Sequence, residues 1–331
     1  MSTNPFKLNK SNNHMEQEVI QGEDPGSLKE AVARFSKNKG AVVGFIVIVI
    51  ILLFALIAPL VSGTTYDHVE KSQLNLPPRI PVIEKLGIFD GKINGFDMYK
   101  SDSLKDVYRW FGSDSLGRDL WTRVWKGTQI SFLIALIAAV IDVIIGITYG
   151  LISAYYGGKV DTVMQRFIEI LSGIPNLVVV IIFMVIFKPG ILTIILALMI
   201  TGWTGMSRVV RSQVLALKEQ EFVLAAKTLG ASHIKIMMKE LLPNIVGQIL
   251  VVSMFSIPSA IFYESFLAFV GLGLQPPQAS LGVLISSGYE SMLTQPYIII
   301  FPVIVLSLLM ISFNLIADGL RDALDPKMKG F

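Results

Sequence analysis

The chain has 331 residues, of which 53% are hydrophobic and only 16% charged, with a net charge of +3 and a mean hydropathy of +0.62. A soluble domain carries about 25% charge, so there is too little polar surface for a water-soluble fold, and the same numbers exclude disorder, collagen and coiled coil. The absence of cysteine excludes a disulfide scaffold, a thiolate zinc site and a cysteine nucleophile.

Residues 1–40 form a polar tail. Before Gly22 it is rich in Asn, Ser, Lys and Glu, a composition that predicts no fixed structure. Ser27-Leu28-Lys29-Glu30 has the capping-box spacing, in which serine and glutamate satisfy the first free amides of a helix. Leu28, Val32 and Phe35 then recur at helical spacing beside Lys29, Arg34 and Lys37. That pattern predicts a short helix, either lying along the inner interface or solvated ahead of the membrane.

Crossing a hydrocarbon core of about 30 Å takes about 20 mostly apolar residues. Six stretches meet or approach that length: 41–61, 130–154, 170–187, 189–207, 241–263 and 297–317. Only the second holds a charge, Asp142. The first is too long and too far from the start for a cleaved signal, whose apolar region is about 7–15 residues. The expected fold is therefore an all-α integral membrane protein with six transmembrane helices. Its parts are the tail, a first span at 41–61, an external loop at 62–129, a five-helix core at 130–318 and a C-terminal segment at 319–331. The core includes a cytoplasmic loop at 212–243.

Lysine and arginine set the orientation. Six precede the first span, six lie between Arg208 and Lys239, and Arg321, Lys327 and Lys329 close the chain. With six spans these segments share one side, the cytoplasm, which places both termini inside. On the other side Lys188 stands alone between two spans, and 271–296 has no basic residue. The 62–129 loop is nearly neutral, and loops beyond about 60 residues translocate largely regardless of charge.

That external loop is too long for a mere connector. Pro77, Pro78 and Pro81 predict an extended early part. Trp110, Trp121 and Trp125 cluster before the second span, at the level where such rings prefer the headgroups, and 120–126 is expected to be an interfacial helix. On the cytoplasmic side, 215–229 reads as helical. Gly230 can end that helix in the left-handed conformation, Ser232 can cap a second one at 234–242, and Pro243 is expected to open the next span. The apolar residues Leu217, Phe222, Ala225 and Ala226 have no bilayer to enter. They form either a docking surface or a face folded back on the spans.

There is no phosphate-binding G-x-x-x-x-G-K-[ST] loop and no H-E-x-x-H. His14, His68 and His233 lie in separate segments outside the spans, so neither metal catalysis nor a histidine-activated serine can be built in the bilayer. An enzyme is not expected. Polar groups within spans are the candidates for a hydrated path, because a charge in hydrocarbon costs several kcal/mol unless paired or hydrated. Asp142, Asn176, Glu264 and Asn314 are the candidate path residues, with Gln248 and Glu169 also in view. The competing reading is a buried or local bond, as between Glu169 and Arg166. Gly146, Gly150 and Ala154 give a small-xxx-small face for close helix packing, and Pro175 and Pro258 predict kinks.

The segment Glu221-Phe222-Val223-Leu224-Ala225-Ala226-Lys227-Thr228-Leu229-Gly230, followed by Leu242-Pro243-Asn244, resembles the coupling loop of ABC-importer permeases. That motif runs E-A-A, three residues, glycine, nine residues, then I-x-L-P. Ala225, Ala226, Gly230, Leu242 and Pro243 match it, while Leu224 and Glu240 replace its glutamate and isoleucine. The stretch from Phe111 to Asp119, FGSDSLGRD, is similar to the F-G-T-D-x-x-G-R-D segment of the oligopeptide, dipeptide and nickel permeases. Residues 264–273 and 318–326 are similar to that subfamily's C-terminal half, and the tail and ending resemble its C-type subunit.

The resemblance, over 111–326, implies a permease that binds no cofactor itself, ATP and Mg being held by two cytoplasmic ATP-binding subunits. It further implies a second, B-type permease, an extracellular peptide-binding protein and a multi-pass place in a bacterial cytoplasmic membrane, with no nucleic-acid partner. It assigns ATPase coupling to Glu221, Ala225, Ala226, Gly230, Ala231 and Pro243, and import of short peptides by alternating access to the assembly. Import of nickel or a metal chelate by the same machinery, and a non-transporting membrane sensor, remain the alternatives.

Overall fold

A computed structural model describes residues 28–93 and 95–324. The expectations for the tail before Leu28, including Ser27 of the capping box, and for Lys327 and Lys329 lie outside the described residues. Helix α1, Leu28–Lys37, leads into α2, Lys39–Val61. Asn38 separates the two and caps the second, its side chain accepting from the Ala41 amide at 3.1 Å. Phe35 of α1 packs onto the membrane core beside the last helix, so α1 is docked to the end of the bundle.

The external segment after α2 is irregular, with short 3₁₀ turns and one small exception to an all-helical fold. Strands β1, Lys92–Ile93, and β2, Phe96–Asp97, pair antiparallel with Lys92 opposite Asp97 and Ile93 opposite Phe96. The segment has its own core of Leu76, Tyr99 and Leu104 with Val107 against it. The Tyr99 hydroxyl donates to the Pro77 carbonyl at 2.8 Å, and burial pushes its pKa up.

Helix α3, Leu120–Tyr156, starts ten residues before the expected span. The expected interfacial helix at 120–126 is its first two turns. Asp119 supplies the reason: its side chain accepts from the Thr122 amide at 3.0 Å and so satisfies a free N–H at the start of the helix. Leu120, Val124 and Trp125 are buried, which ties these turns into the bundle instead of leaving them along the surface.

Helices α4, Gly158–Ser172, and α5, Asn176–Phe187, are bent by 77° across the break at 173–175. Pro175 accounts for the break, having no N–H for the ladder; the third span expected at 170–187 is a bent pair, with the kink where Pro175 predicts it. Helices α6, Ile191–Thr201, and α7, Trp203–Leu217, meet at Gly202 and form one span of 27 residues. Helix α8, Glu221–Thr228, lies outside the spans.

The next span runs as one 40-residue helix from His233 to Leu272. It comprises α9, His233–Lys235, a π-helical turn at Ile236–Leu241, α10, Leu242–Leu267, and a second π-helical turn at Ala268–Leu272. Pro243 therefore does not open a span. The wide π turn, in which the Leu242 amide reaches back to the Met237 carbonyl, absorbs the proline inside a continuous helix. After it come α11, Leu281–Glu290, and α12, Tyr297–Leu324. Among the described residues five helices are long and apolar enough to cross a membrane, or six if the bent α4–α5 pair counts as one span.

Helix α3 is the centre of the bundle. Its Gly146 and Gly150 let α7 approach until a methyl group at either position would press on Met206, Ser207 or Val210 at 2.6–2.9 Å. That is the packing expected of a small-xxx-small face. On its other side Val124, Trp125, Ala135 and Ala139 join residues of α2, α10, α11 and α12 in the main core.

Candidate functional site

Two places concentrate the residues singled out from the sequence: the loop around α8 and a cavity within the bundle. Helix α8 begins without a side-chain cap and ends in a Schellman motif. The Ala231 amide bonds the Ala226 carbonyl at 3.0 Å, and the Gly230 amide bonds the Lys227 carbonyl at 3.0 Å. This closure puts Gly230 in the left-handed region with φ +77°, which glycine adopts without the clash other residues incur. Ser232 then caps the following helix, its hydroxyl accepting from the Lys235 amide at 3.4 Å.

One face of α8 points inward. Val223 is fully buried among Val210, Val214, Ile236, Met237 and Leu241, with Ala226, Ala231 and Leu217 packed against the same cluster. The opposite face carries Glu221, Phe222, Leu224, Ala225 and Leu229, all exposed. Leu217 and Ala226 fold back on the spans, as one of the two expected alternatives has it, whereas Phe222 and Ala225 face out. Pro243 is exposed on the helix that follows, a full π turn away from this face.

Polar contacts tie the loop to the end of α3. The Tyr155 hydroxyl lies 2.8 Å from His233 Nδ1, and Lys227 sits over the Tyr155 ring at 5.6 Å. Lys218 donates to the Ala154 carbonyl at 3.1 Å. Behind them Arg211 of α7 forms a bidentate pair with Asp161 of α4 at 2.6 and 2.7 Å, and Ser153 of α3 donates to the same carboxylate at 2.5 Å. None of these pairs was expected from the sequence; an α3 end rich in tyrosine facing a lone histidine was the only signal.

The cavity, about 310 Å³, lies between α3, the start of α5, the α6–α7 span and α10. Its polar lining is Asp142, Asn176, Thr201, Ser256, Ser259 and Tyr263. Asp142 lies about 21 Å along α3 from the end at Tyr156, taking 1.5 Å per residue. Its Oδ1 is buried and makes no hydrogen bond to the described residues. The carboxylate faces Gly202, where a methyl group would meet Oδ1 at 2.5 Å.

The other expected path residues are elsewhere. Glu264 is fully buried outside the cavity. Its Oε2 accepts from Ser131 of α3 at 2.9 Å, and Ser131 in turn accepts from the Leu281 amide at the start of α11 at 3.1 Å. Glu264 thus joins three helices. Asn314 is exposed on α12 and does not line the cavity. Glu169 pairs with Arg166 at 2.6 Å on an exposed surface, the local bond weighed against a path role. The structure brings Asp142 and Asn176 together, and leaves Glu264 and Asn314 apart.

The FGSDSLGRD segment acts as a fastener at the opposite end of α3. Asp114 accepts from the amides of Leu116 and Arg118 at 2.9 and 3.0 Å and from Arg118 Nε at 2.8 Å. Arg123 of α3 reaches the same carboxylate at 3.5 Å, and Arg109 pairs with Asp119 at 3.3 Å. Ser113 bonds both the Gln73 carbonyl and the Leu76 amide, which holds the loop's small core against the bundle.

The family described as "Binding-protein-dependent transport system inner membrane component" matches residues 146–330, and the "N-terminal TM domain of oligopeptide transport permease C" matches residues 27–78. The chain is 47% identical over 310 residues to the dipeptide transport system permease protein DppC of Lactococcus lactis subsp. cremoris, covering 90% of each chain. It is 40% identical over 325 residues to DppC of Bacillus subtilis, covering 98% of this chain and 93% of that one. It is 42% identical over 301 residues to the oligopeptide transport system permease protein OppC of Bacillus subtilis, covering 91% and 90%. Among solved structures, an inward-facing form of the MetNI methionine ABC transporter matches 61% of this chain and 96% of its own with a TM-score of 0.51 at 17% identity, a likeness of fold. In such systems ATP hydrolysis belongs to partner subunits, and the permease is non-catalytic. The chain belongs to the binding-protein-dependent inner-membrane permease family of ABC transporters, as a multi-pass permease of the OppC/DppC type.

Proposed function

We propose that this chain is the C-type permease subunit of an ATP-driven importer of short peptides. It pairs with a second, B-type permease to enclose the path, receives substrate from an extracellular peptide-binding protein, and is driven by two cytoplasmic ATP-binding subunits that hold ATP and Mg. The exposed face of α8, at Glu221, Phe222 and Ala225, docks in a groove of one ATP-binding subunit, with Gly230 and Ala231 setting the turn behind it. Closure of those subunits on ATP displaces α8. The brace of Lys218, Tyr155, His233, Asp161 and Arg211 carries the displacement into α3, α4 and α7, and the path opens outward; hydrolysis reverses it. Such coupling requires contacts that differ in energy between the two states.

The observation that carries this reading is α8 itself: a short helix pinned from behind by a buried valine and presenting an apolar face to water, which marks an interaction site. Ala225 is exposed, so Ala225→Arg leaves the chain's own packing intact while blocking close approach. Proteoliposomes holding the complete system with this variant should lose ATP-dependent uptake of labelled tri-alanine; undiminished uptake would overturn the coupling role. Wild-type uptake of labelled nickel but not of tri-alanine would replace peptide by metal as the cargo.

A further inference from the structure

Among the described residues Asp142 is the one charged residue lining the cavity, with no lysine, arginine or histidine in that lining. Its Oδ1 has no hydrogen-bond donor among the described residues. A half-buried carboxylate with one oxygen shut off from water and lacking a donor is costly, and a cationic ligand carrying N–H donors would offset that cost. The neighbouring hydroxyls point to the same chemistry. Ser256 donates to the Val252 carbonyl at 3.3 Å and Ser259 to the Phe255 carbonyl at 2.8 Å. With their hydrogens directed back along α10, what the two serines can offer a ligand is acceptor oxygens. The wall thus offers a carboxylate and two acceptor hydroxyls, beside the Asn176 amide and the Thr201 and Tyr263 hydroxyls, which can donate or accept; its one charge suits a group that is positive and carries several N–H donors.

A bare metal ion fits poorly. Among the described residues no group of three His, Cys, Asp or Glu stands together, and hard divalent cations take six or more oxygen ligands, commonly including more than one carboxylate. Every unmodified peptide, by contrast, carries an amino-terminal ammonium with three donors, whatever its side chains. We propose that this cavity, with Asp142 as the charged group and Ser256 and Ser259 as acceptors, holds the amino-terminal ammonium of the peptide in transit. The proposal rests on the peptide-import reading. Because the ammonium is common to all peptides, such a site orients the cargo without selecting its side chains.

The test uses the whole purified transporter. Alaninamide-capped tri-alanine, with its carboxylate blocked, is added with a water-soluble carbodiimide. The reagent activates a carboxylate, and the peptide amine displaces the urea to form an amide. Mass spectrometry should find the peptide joined to Asp142 in the wild type, and no adduct there with the N-acetylated peptide or in Asp142→Asn. In uptake assays Asp142→Asn should lower tri-alanine transport about tenfold or more, as for loss of one charge-assisted bond, and Asp142→Glu should restore part of it. Absence of an adduct at Asp142 in a wild-type transporter that imports tri-alanine would overturn the proposal, and so would equal labelling by the acetylated peptide. A wild type that imports no tri-alanine would instead remove the peptide reading on which the proposal stands. The wild-type adduct decides the matter even if Asp142→Asn fails to assemble.

Discussion

The two structures appended to the bundle, the external segment and the α8 loop, are fastened to opposite ends of the same helix, α3, by different physics. The external segment is held by charge in a nearly dry setting. Arg109, Asp114, Arg118, Asp119 and Arg123 have side chains only 3–12% exposed, and every carboxylate among them has at least one arginine. The α8 loop is held by one buried valine, a Schellman turn and a few bonds near the surface, while Phe222, Ala225 and Leu229 remain uncovered. An anchored cap needs nothing from outside the chain. An element that must dock a partner and move with it leaves its best contacts unmade until the partner arrives. Under the proposed coupling, the outer end of α3 is the fixed point and the inner end the place where work is applied.

On that division, the greatest loss of transport should come from a change that touches no side-chain bond between the loop and the bundle but removes the Gly230 amide bond closing α8 and misdirects the helix. Gly230 has φ +77° and open space around it. Proline holds φ near −65°, so Gly230→Pro cannot make the turn, and the helix after it is re-aimed. ATP-dependent uptake should be abolished while the chain still reaches the membrane, assayed by uptake and immunoblot of membranes. Normal uptake would mean the angle between α8 and the next helix carries no work.

The next effect belongs to the other end. Asp114→Ala leaves Arg118 and Arg123 buried without their shared carboxylate, and breaking a buried pair from one side costs about 3–5 kcal/mol. The purified transporter should show a lower unfolding temperature, and the external segment should become open to protease at its lysines. Uptake per folded molecule should fall less than in Gly230→Pro. The reverse ranking, a stable protein with no uptake, would make the external knot part of the moving machinery and dissolve the contrast.

How far the sequence anticipated this arrangement depended on the range of the signal. Spans were legible because hydropathy is a property of contiguous residues, and Gly230 and Ser232 were legible because caps are local chemistry. The early start of α3 was not, since Asp119 caps the helix while the apolar run begins only at Ile130. The π turn before Pro243 was missed because a proline was read as a helix start, although a widened turn lets a helix continue through it. Helix α11 was missed as well; Ser280, which caps it by accepting from Val283 at 3.2 Å, was its only local mark. For the site, Asp142 stood out as the lone charge in a span. The bonds that connect α8 to the bundle join residues 50–78 positions apart, and a long-range pair between ordinary polar residues leaves no period or motif to read. Glu264 drew the same suspicion as Asp142 on composition; only the placement of Ser131 beside it separates a helix pin from a cavity group.

The smallest effect expected is also the sharpest probe of the brace. Tyr155 sits at the end of α3, and its hydroxyl meets His233 Nδ1 at 2.8 Å while its ring receives Lys227. Tyr155→Phe keeps the ring and removes only the hydroxyl bond, worth about 0.5–1.5 kcal/mol. His233→Ala removes the same bond from the other side. If the bond transmits motion between α8 and α3, each single change should lower the yield of peptide per ATP hydrolysed more than it lowers stability. The double variant should then be no worse than the poorer single one, since neither partner has anything left to lose. Additive losses in coupling would mean that the two residues act independently, the hydroxyl bond being incidental and the load passing instead through Val223 and the apolar cluster behind it.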